Sequence, residues 1–446
     1  MRWQRVPSDL EETDMKKAVI LAIGGLFILG WMVTIKGLIE KPAAYHALIS
    51  EAQKYEEQQI YIMAIENYKE ALAYNPDSLD LRMKIAEDYR LLGDESAFEN
   101  RSEDINTLFN YPVANVERLA DYYMEQSLDN KAIDLLQKAM DIHKNEAGLE
   151  ERFQKLRYTY SKVYIRYDEI FDFRNDSAVV MTEDRYGVVD GDGDVIASAQ
   201  YDWAGSLSGD RTLIPVSKDG EYFYLNEEGY RILVPSPDQK VEDIGVFCSG
   251  VAPAKINGKY GYIDNKFHPV SDFQWDGATV IQNKLGAVKQ GDKWAVIDDG
   301  YNAVTDFIYD DIKTDDYGYC SISGRIFAKT AKGYVMLDEN GKQLGESVFE
   351  DAKPFLTEEP TSVKINGKWG FADMDGNIVI EPQYDDARPF SGGLAPVKKG
   401  TAWGYITLEN QMVIEDTFMD ARSFYKGVAP VREGNQWSAI RLNVIE

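Results

Sequence analysis

An aromatic residue returns eight times across the later two-thirds of this chain, at Tyr186, Tyr222, Tyr260, Trp294, Tyr334, Trp369, Trp403 and Trp437. The intervals are 36, 38, 34, 40, 35, 34 and 34 residues. Such a period marks a repeat architecture, in which each unit buries its apolar face against its neighbours. Around each marker runs the same order: an apolar strand, a turn, the aromatic, an apolar pair, Asp, a Gly turn, an apolar pair, then an aromatic-Asp. The clearest copy is SVKINGKWGFADMDGNIVIEPQYDDARPF, at 362–390. KING recurs verbatim at Lys255–Gly258 and Lys364–Gly367, and Asn-Gly between alternating strands permits the positive φ values of a type I′ hairpin turn. Each unit can therefore supply three or four short strands. Seven or eight such units close into a propeller-like ring. An open β-solenoid satisfies the same pattern, with each unit touching only its neighbours. The propeller is preferred. Identical placement in every unit points to aromatics packed between adjacent repeats; a ligand-stacking row is the alternative.

The tripeptides Lys259-Tyr260-Gly261, Lys368-Trp369-Gly370 and Ala402-Trp403-Gly404 make these units resemble the bacterial WG repeat. LAPVK at Leu394–Lys398 and VAPVR at Val428–Arg432 match the strand before the marker, and Tyr384-Asp385 and Tyr201-Asp202 the strand after it. The units at Tyr222, Tyr334 and Trp437 lack the Gly after the aromatic. The resemblance covers residues 163–446 and implies an architecture more than a function.

Upstream, over 45–161, the period is 34 and the pattern helical. Ala52, Ala86 and Ala120 share a column, as do Tyr55, Tyr89 and Tyr123; Ala64, Phe98 and Ala132; and Ala71, Ile105 and Ala139. Small residues recur where helices must approach closely, with an aromatic beside them to fill the gap. With Leu48, Tyr68 and the helix-stopping Pro76, these positions resemble the tetratricopeptide repeat. The middle unit departs from the pattern, with Phe98 and Ser102 at signature places and Pro112 two places late. The resemblance implies a groove for a peptide or a partner domain; the same units can serve as a rigid spacer. A helix from Glu146 to about Ser161 is expected to close the stack.

Residues 18–35, AVILAIGGLFILGWMVTI, carry no charge and would reach about 27 Å as a helix, near the thickness of a hydrocarbon core. Leu38 and Ile39 extend the run. The expectation is one transmembrane helix over 18–39, since no clean cleavage site follows it. Arg2, Arg5, Lys16 and Lys17 precede the run, which places residues 1–17 in the cytoplasm and the repeats outside. The sequence thus predicts a single-pass bacterial cell membrane protein of mixed α and β class: anchor, helical solenoid, then an all-β repeat domain.

A net charge of −27 excludes nucleic acid as a natural partner, because phosphate binding needs a basic surface. Cys248 and Cys320 have no metal-ligand spacing and read as buried thiols, with one bridge possible. His46, His143 and His268 fall in separate units and form neither triad nor metal site. Asp190-Gly191-Asp192-Gly193-Asp194 looks like a calcium loop but lacks the downstream bidentate Glu. It aligns instead with the repeat turns. Asp190, Asp264, Asp298, Asp338 and Asp373 recur in register, which suggests turn capping. No catalytic, metal or cofactor residues are assigned. The leading expectation is a non-enzymatic cell-envelope scaffold that binds a protein or an envelope polymer. The alternatives are a passive spacer and a propeller-type glycan hydrolase, in which Asp276, Asp315 and Asp316 would be the players.

Overall fold

The computed structural model describes residues 42–444, and the chain divides after Lys155 into two compact units. The first holds seven helices among its described residues: α1 (42–57), α2 (Tyr61–Tyr74), α3 (Leu79–Leu92), α4 (Glu95–Phe109), α5 (Val113–Glu125), α6 (Asp129–Ile142) and α7 (Ala147–Leu156). Their ends follow local chemistry. The Ser78 hydroxyl accepts from Leu81 N and Asp94 from Ala97 N, while Gly93 leaves α3 at φ 82°. Pro76 stands just past α2, and Pro112 is the N-cap of α5. Ala52, Ala64, Ala71, Ala86, Ala120, Ala132 and Ala139 are all fully buried, which lets consecutive helices approach closely. Tyr68 and Tyr123 are buried beside them; Tyr55 and Tyr89 are partly exposed. The closing helix ends at Leu156, because the strand Tyr160–Tyr167 is claimed by the second unit.

The predicted fold class needs correction. The expected membrane span over 18–39 lies outside the described residues, and no helix among those described is long and apolar enough to cross a membrane. Each of these helices is amphipathic and turns its apolar face to its neighbours, as in α5, where Val116, Leu119, Ala120 and Tyr123 are buried. The single-pass membrane localisation is withdrawn with the anchor. Over the described residues the architecture is a unit of seven helices followed by a closed β-propeller.

Within the helical unit, Asp88 of α3 is 1% exposed, and its Oδ2 has no hydrogen-bond partner. Burial first, and the neighbouring Glu56 carboxylate second, push its pKa up to about 7, with Lys84 opposing them. Below about pH 4 the folded and unfolded forms are both protonated. As pH rises towards 7 the unfolded carboxyl ionises while the folded one holds its proton, so stability falls across that window. Asp88→Asn is expected to remove this slope and to raise the melting temperature by several degrees at pH 8, with little change at pH 4. Melts followed by helical circular dichroism across pH 4–8 check this; a slope as steep as the parent's contradicts it.

The second unit contains eight separate sheets, five of four strands and three of three. Blades 1 to 8 carry the eight marker aromatics in chain order. Blade 6 shows the plan, with Asp351–Ala352, Thr361–Ile365, Lys368–Ala372 and Ile378–Tyr384 pairing antiparallel in that order. In blades 3 and 4 the fourth strand is reduced to bridges, Tyr260 to Trp275 and Trp294 to Tyr309. The ring is closed by a strand from the other end of the sequence. Tyr160–Tyr167 pairs with Gln436–Leu442 and completes blade 8, with Val163 opposite Ala439 and Tyr167 opposite Trp437. That pairing excludes the open solenoid.

The glycine of the repeat motif follows from the third and fourth strands. Trp369 pairs with Tyr384, but Phe371 already pairs with Ile380, so the fourth strand bulges over Gly370. A Cβ on Gly370 would stand 2.7 Å from Pro382 N, and one on Gly404 2.6 Å from Ile414 O. Both obstacles are backbone and cannot rotate away. Blade 8 keeps the same offset, with Tyr167 opposite Trp437 and Val163 opposite Ala439, and nothing in the structure explains why Ser438 replaces the glycine there.

Candidate functional site

Each marker aromatic sits in the third strand of its blade, or in blade 5 the second of three, and packs into an apolar cluster shared with the next blade. Trp403 of blade 7 lies with Ala429, Val431 and Ile440 of blade 8, and Trp437 of blade 8 lies with Ile170, Ala178 and Val180 of blade 1. Tyr222 likewise meets Ile244 and Ala252, and Tyr260 meets Ala278 and Val288. Tyr186 and Trp294 border the corresponding clusters of blades 2 and 5. Tyr334, Trp369, Trp403 and Trp437 are buried; Tyr186, Tyr222, Tyr260 and Trp294 remain partly exposed.

That division coincides with charge on the innermost strands. Blades 5 to 8 carry Lys313, Lys353, Arg388 and Arg422 at one repeat position, each over its own blade's aromatic. Each also reaches the acid two places earlier in the following blade's repeat. Lys313 pairs with Asp351 at 2.7 Å, Lys353 with Asp386 at 3.3 Å, Arg388 with Asp420 at 3.0 Å and Arg422 with Glu169 at 2.7 Å. Blades 2, 3 and 4 have Gly205, Gly245 and Thr279 at the cation position. Where no cation comes from the preceding blade, a tyrosine marker supplies the missing partner. The Tyr260 hydroxyl donates to Asp243 and the Tyr334 hydroxyl to Asp311, each at 2.6 Å. Tryptophan markers stand at 369, 403 and 437, where the acid already has its cation.

The centre of the ring is occupied by the blade 5 loop, which is responsible for the longest interval between markers. Asp315 accepts from Tyr317 N and Tyr319 N, the same turn that Asp190, Asp264, Asp298, Asp338 and Asp373 make elsewhere. The turn aims two buried tyrosines inward. The Tyr317 hydroxyl donates to Asp172 O of blade 1, and Tyr319 pairs with Val280 of blade 4 through a parallel bridge. Both join the core cluster of blades 1 and 2 with Val179, Val188 and Val216.

Two arginines fasten the plug. Arg174 lies over the Tyr319 ring at 3.6 Å and donates to Asp315 at 2.6 Å. Arg422 donates to Asp316 at 2.9 Å and to Glu169 at 2.7 Å, and stands 3.7 Å from Asp172. Burial raises the pKa values of Asp172 and Asp315, partly opposed by Arg422 and Arg174 respectively. Burial also works against the charge on Arg422, but Asp172 and Asp316 more than offset it and hold the group protonated. Burial and the Arg388 charge lower the Lys353 pKa.

The carboxylates expected to serve a hydrolase are not brought together. Asp276 is exposed, pairs with Lys259 at 2.5 Å and accepts from Gly291 N, so it caps a hairpin. Asp315 and Asp316 are neighbours, but each is committed to a different arginine. Among the described residues no His, Cys, Asp and Glu cluster could hold a metal ion, and Asp190 spends its Oδ1 on Asp192 N and Asp194 N of its own turn. His46, His143 and His268 stay apart on α1, at the end of α6 and in blade 3. Cys248 and Cys320 are free thiols; burial lifts the Cys320 pKa to about 12. Sequence reasoning missed Arg174, Arg422, Asp172, Tyr317 and Tyr319. The one available signal was the 40-residue interval that contains DDYGY.

Eight closed antiparallel sheets around a plugged centre define a β-propeller. The WG containing repeat matches residues 186–222, 260–294, 369–400 and 403–437, so four segments of the propeller are similar to WG repeats. All four segments lie in the propeller, and the tetratricopeptide resemblance gains no support from them. No curated protein matches the chain. Among solved structures, Hsv2 of Kluyveromyces lactis is 12% identical, covering 53% of this chain and 97% of its own, with a TM-score of 0.33. PorZ of Porphyromonas gingivalis, described as an essential bacterial surface component of a type-IX secretion system, is 9% identical over 61% of this chain and 42% of its own, at 0.36. A eukaryotic initiation factor is 12% identical over 59% and 80%, at 0.40. These likenesses are too loose to bear on function.

Proposed function

We propose that this chain is a non-enzymatic binding protein whose propeller is a rigid scaffold for a protein or polymer partner. The observation that carries this reading is the commitment of Asp315 and Asp316, the central carboxylates that break the repeat pattern. Asp315 and Asp316 are held by Arg174 and Arg422, and Tyr317 and Tyr319 fill the place where carboxylates from several blades would have to converge. A general acid and base must face a substrate, and these face arginines and the core. The partner is not nucleic acid, given 75 acidic against 48 basic side chains. The partly exposed markers of blades 1 to 4 are the part of the ring that the charge ladder leaves uncovered, and they supply apolar contact area for a partner.

The test has two arms on the full chain. Crosslinking in native extract is expected to capture a reproducible partner, with capture reduced by Tyr222→Ala and Trp294→Ala. Incubation with a panel of polysaccharides is expected to release no reducing ends. Release that disappears in Asp316→Asn would establish the hydrolase instead, and a chain that captures nothing would establish the spacer.

A further inference from the structure

The helical unit carries a pocket of about 170 Å³ between α2, α3 and α4, lined by Leu72, Ile85 and Ile105, with Lys69, Arg82 and the ion-paired Arg101 and Asp104 around them. Ile85 and Ile105 are buried and make an apolar floor. The cations are weakly engaged. Lys69 donates to the Tyr89 hydroxyl at 2.7 Å and Arg82 to Pro76 O at 2.8 Å, and neither has a carboxylate partner among the described residues. The Arg82 Nε–H is buried without an acceptor. Arg101 alone is neutralised, by Asp104 at 3.1 Å. In a chain with a net charge of −27, two adjacent cations without counter-charge over an apolar floor form an unusual local field. A buried donor left without an acceptor is costly, and a bound anion would relieve that cost.

We infer that this pocket binds a carboxylate carried on a short aliphatic chain, with the carboxylate between Lys69 and Arg82 and the chain on Leu72, Ile85 and Ile105. The size argues for so small a ligand, because sites for drug-sized molecules and cofactors run to about 300–1,000 Å³. The chemistry fits a free aliphatic acid or the terminal residue of a peptide equally, and the two are told apart by competition.

The full chain is titrated with hexanoate, hexan-1-ol and hexylammonium, and with acetyl-glycyl-glycyl-leucine as the free acid and the amide, by calorimetry and by amide chemical shifts of α2–α4. Saturable binding is expected for the free acids and not for the alcohol, the amine or the peptide amide. The double variant Lys69→Gln, Arg82→Gln should weaken it at least tenfold with helical circular dichroism unchanged. Ile85→Val should weaken it by less, through the floor alone. Tighter binding of the peptide acid than of hexanoate assigns the site to a chain terminus, and the reverse assigns it to a free acid. Absence of saturation by either acid, binding of the alcohol as tight as that of the acid, or an unaffected double variant would overturn the inference.

Discussion

Replacing residues 160–167 with a glycine-serine linker of equal length is expected to cost the propeller about 4 kcal/mol or more and to turn the protein towards aggregation. That strand supplies the fourth member of blade 8 and pairs along Gln436–Leu442. With it go Ile165, which packs in the cluster of Trp437, and Tyr160, whose ring lies 6.2 Å from that of Phe418. Loss of these contacts leaves an unpaired strand edge and uncovers a tryptophan, the two conditions that most favour intermolecular pairing. Urea unfolding followed by tryptophan fluorescence should show a lower midpoint and a lost single transition. An unchanged midpoint would mean that the seam contributes little and that the blades stand without closure.

Arg422→Ala is expected to be nearly as damaging, by about 3–5 kcal/mol, because it leaves Glu169, Asp172 and Asp316 facing one another without a cation. The guanidinium also lies over Trp437 at 5.2 Å and Phe171 at 5.3 Å, so packing is lost along with charge. Two signatures separate this from simple truncation. The loss should shrink as pH falls through the carboxylate range, since protonation relieves the repulsion. Asp172→Asn should restore part of the stability in the Arg422→Ala background, as a coupling above about 1 kcal/mol in a double-mutant cycle. A pH-independent loss without coupling would assign Arg422 to packing alone.

Much of the propeller was legible because its repeats are local. The eight aromatics, the Asn-Gly hairpins and the Asp turns each depend on neighbours within a few residues, and Asp264 and Asp298 cap the turns that their positions suggested. The strand that closes the preferred ring was not legible, since Tyr160–Tyr167 precedes the first marker and its partner lies about 270 residues later. The expected closing helix ran into that strand for the same reason: local propensity gives way where a distant sheet edge supplies hydrogen bonds. The plug illustrates the limit at the candidate site. The interval from Trp294 to Tyr334 announced an insertion, yet the partners of Asp315 and Asp316 are Arg174 and Arg422, more than 100 residues away in either direction. Acids that break the repeat pattern read as candidates for chemistry, and their long-range arginines make them fastenings. At Tyr260 and Tyr334 the marker's hydroxyl satisfies an acid that receives no cation from the blade before, a role only the assembled ring reveals.

The closed ring of eight blades is tested most directly at a salt bridge across its seam. Lys162 and Glu433, far apart in the sequence, stand 2.7 Å apart with both side chains about half exposed. A zero-length carbodiimide crosslink on the unmodified monomer, mapped by mass spectrometry, should join the peptides containing these two residues within one chain. Recovery of the crosslinks between consecutive blades, such as Lys259 to Asp276, without any Lys162–Glu433 product would contradict closure and return the repeats to an open spiral.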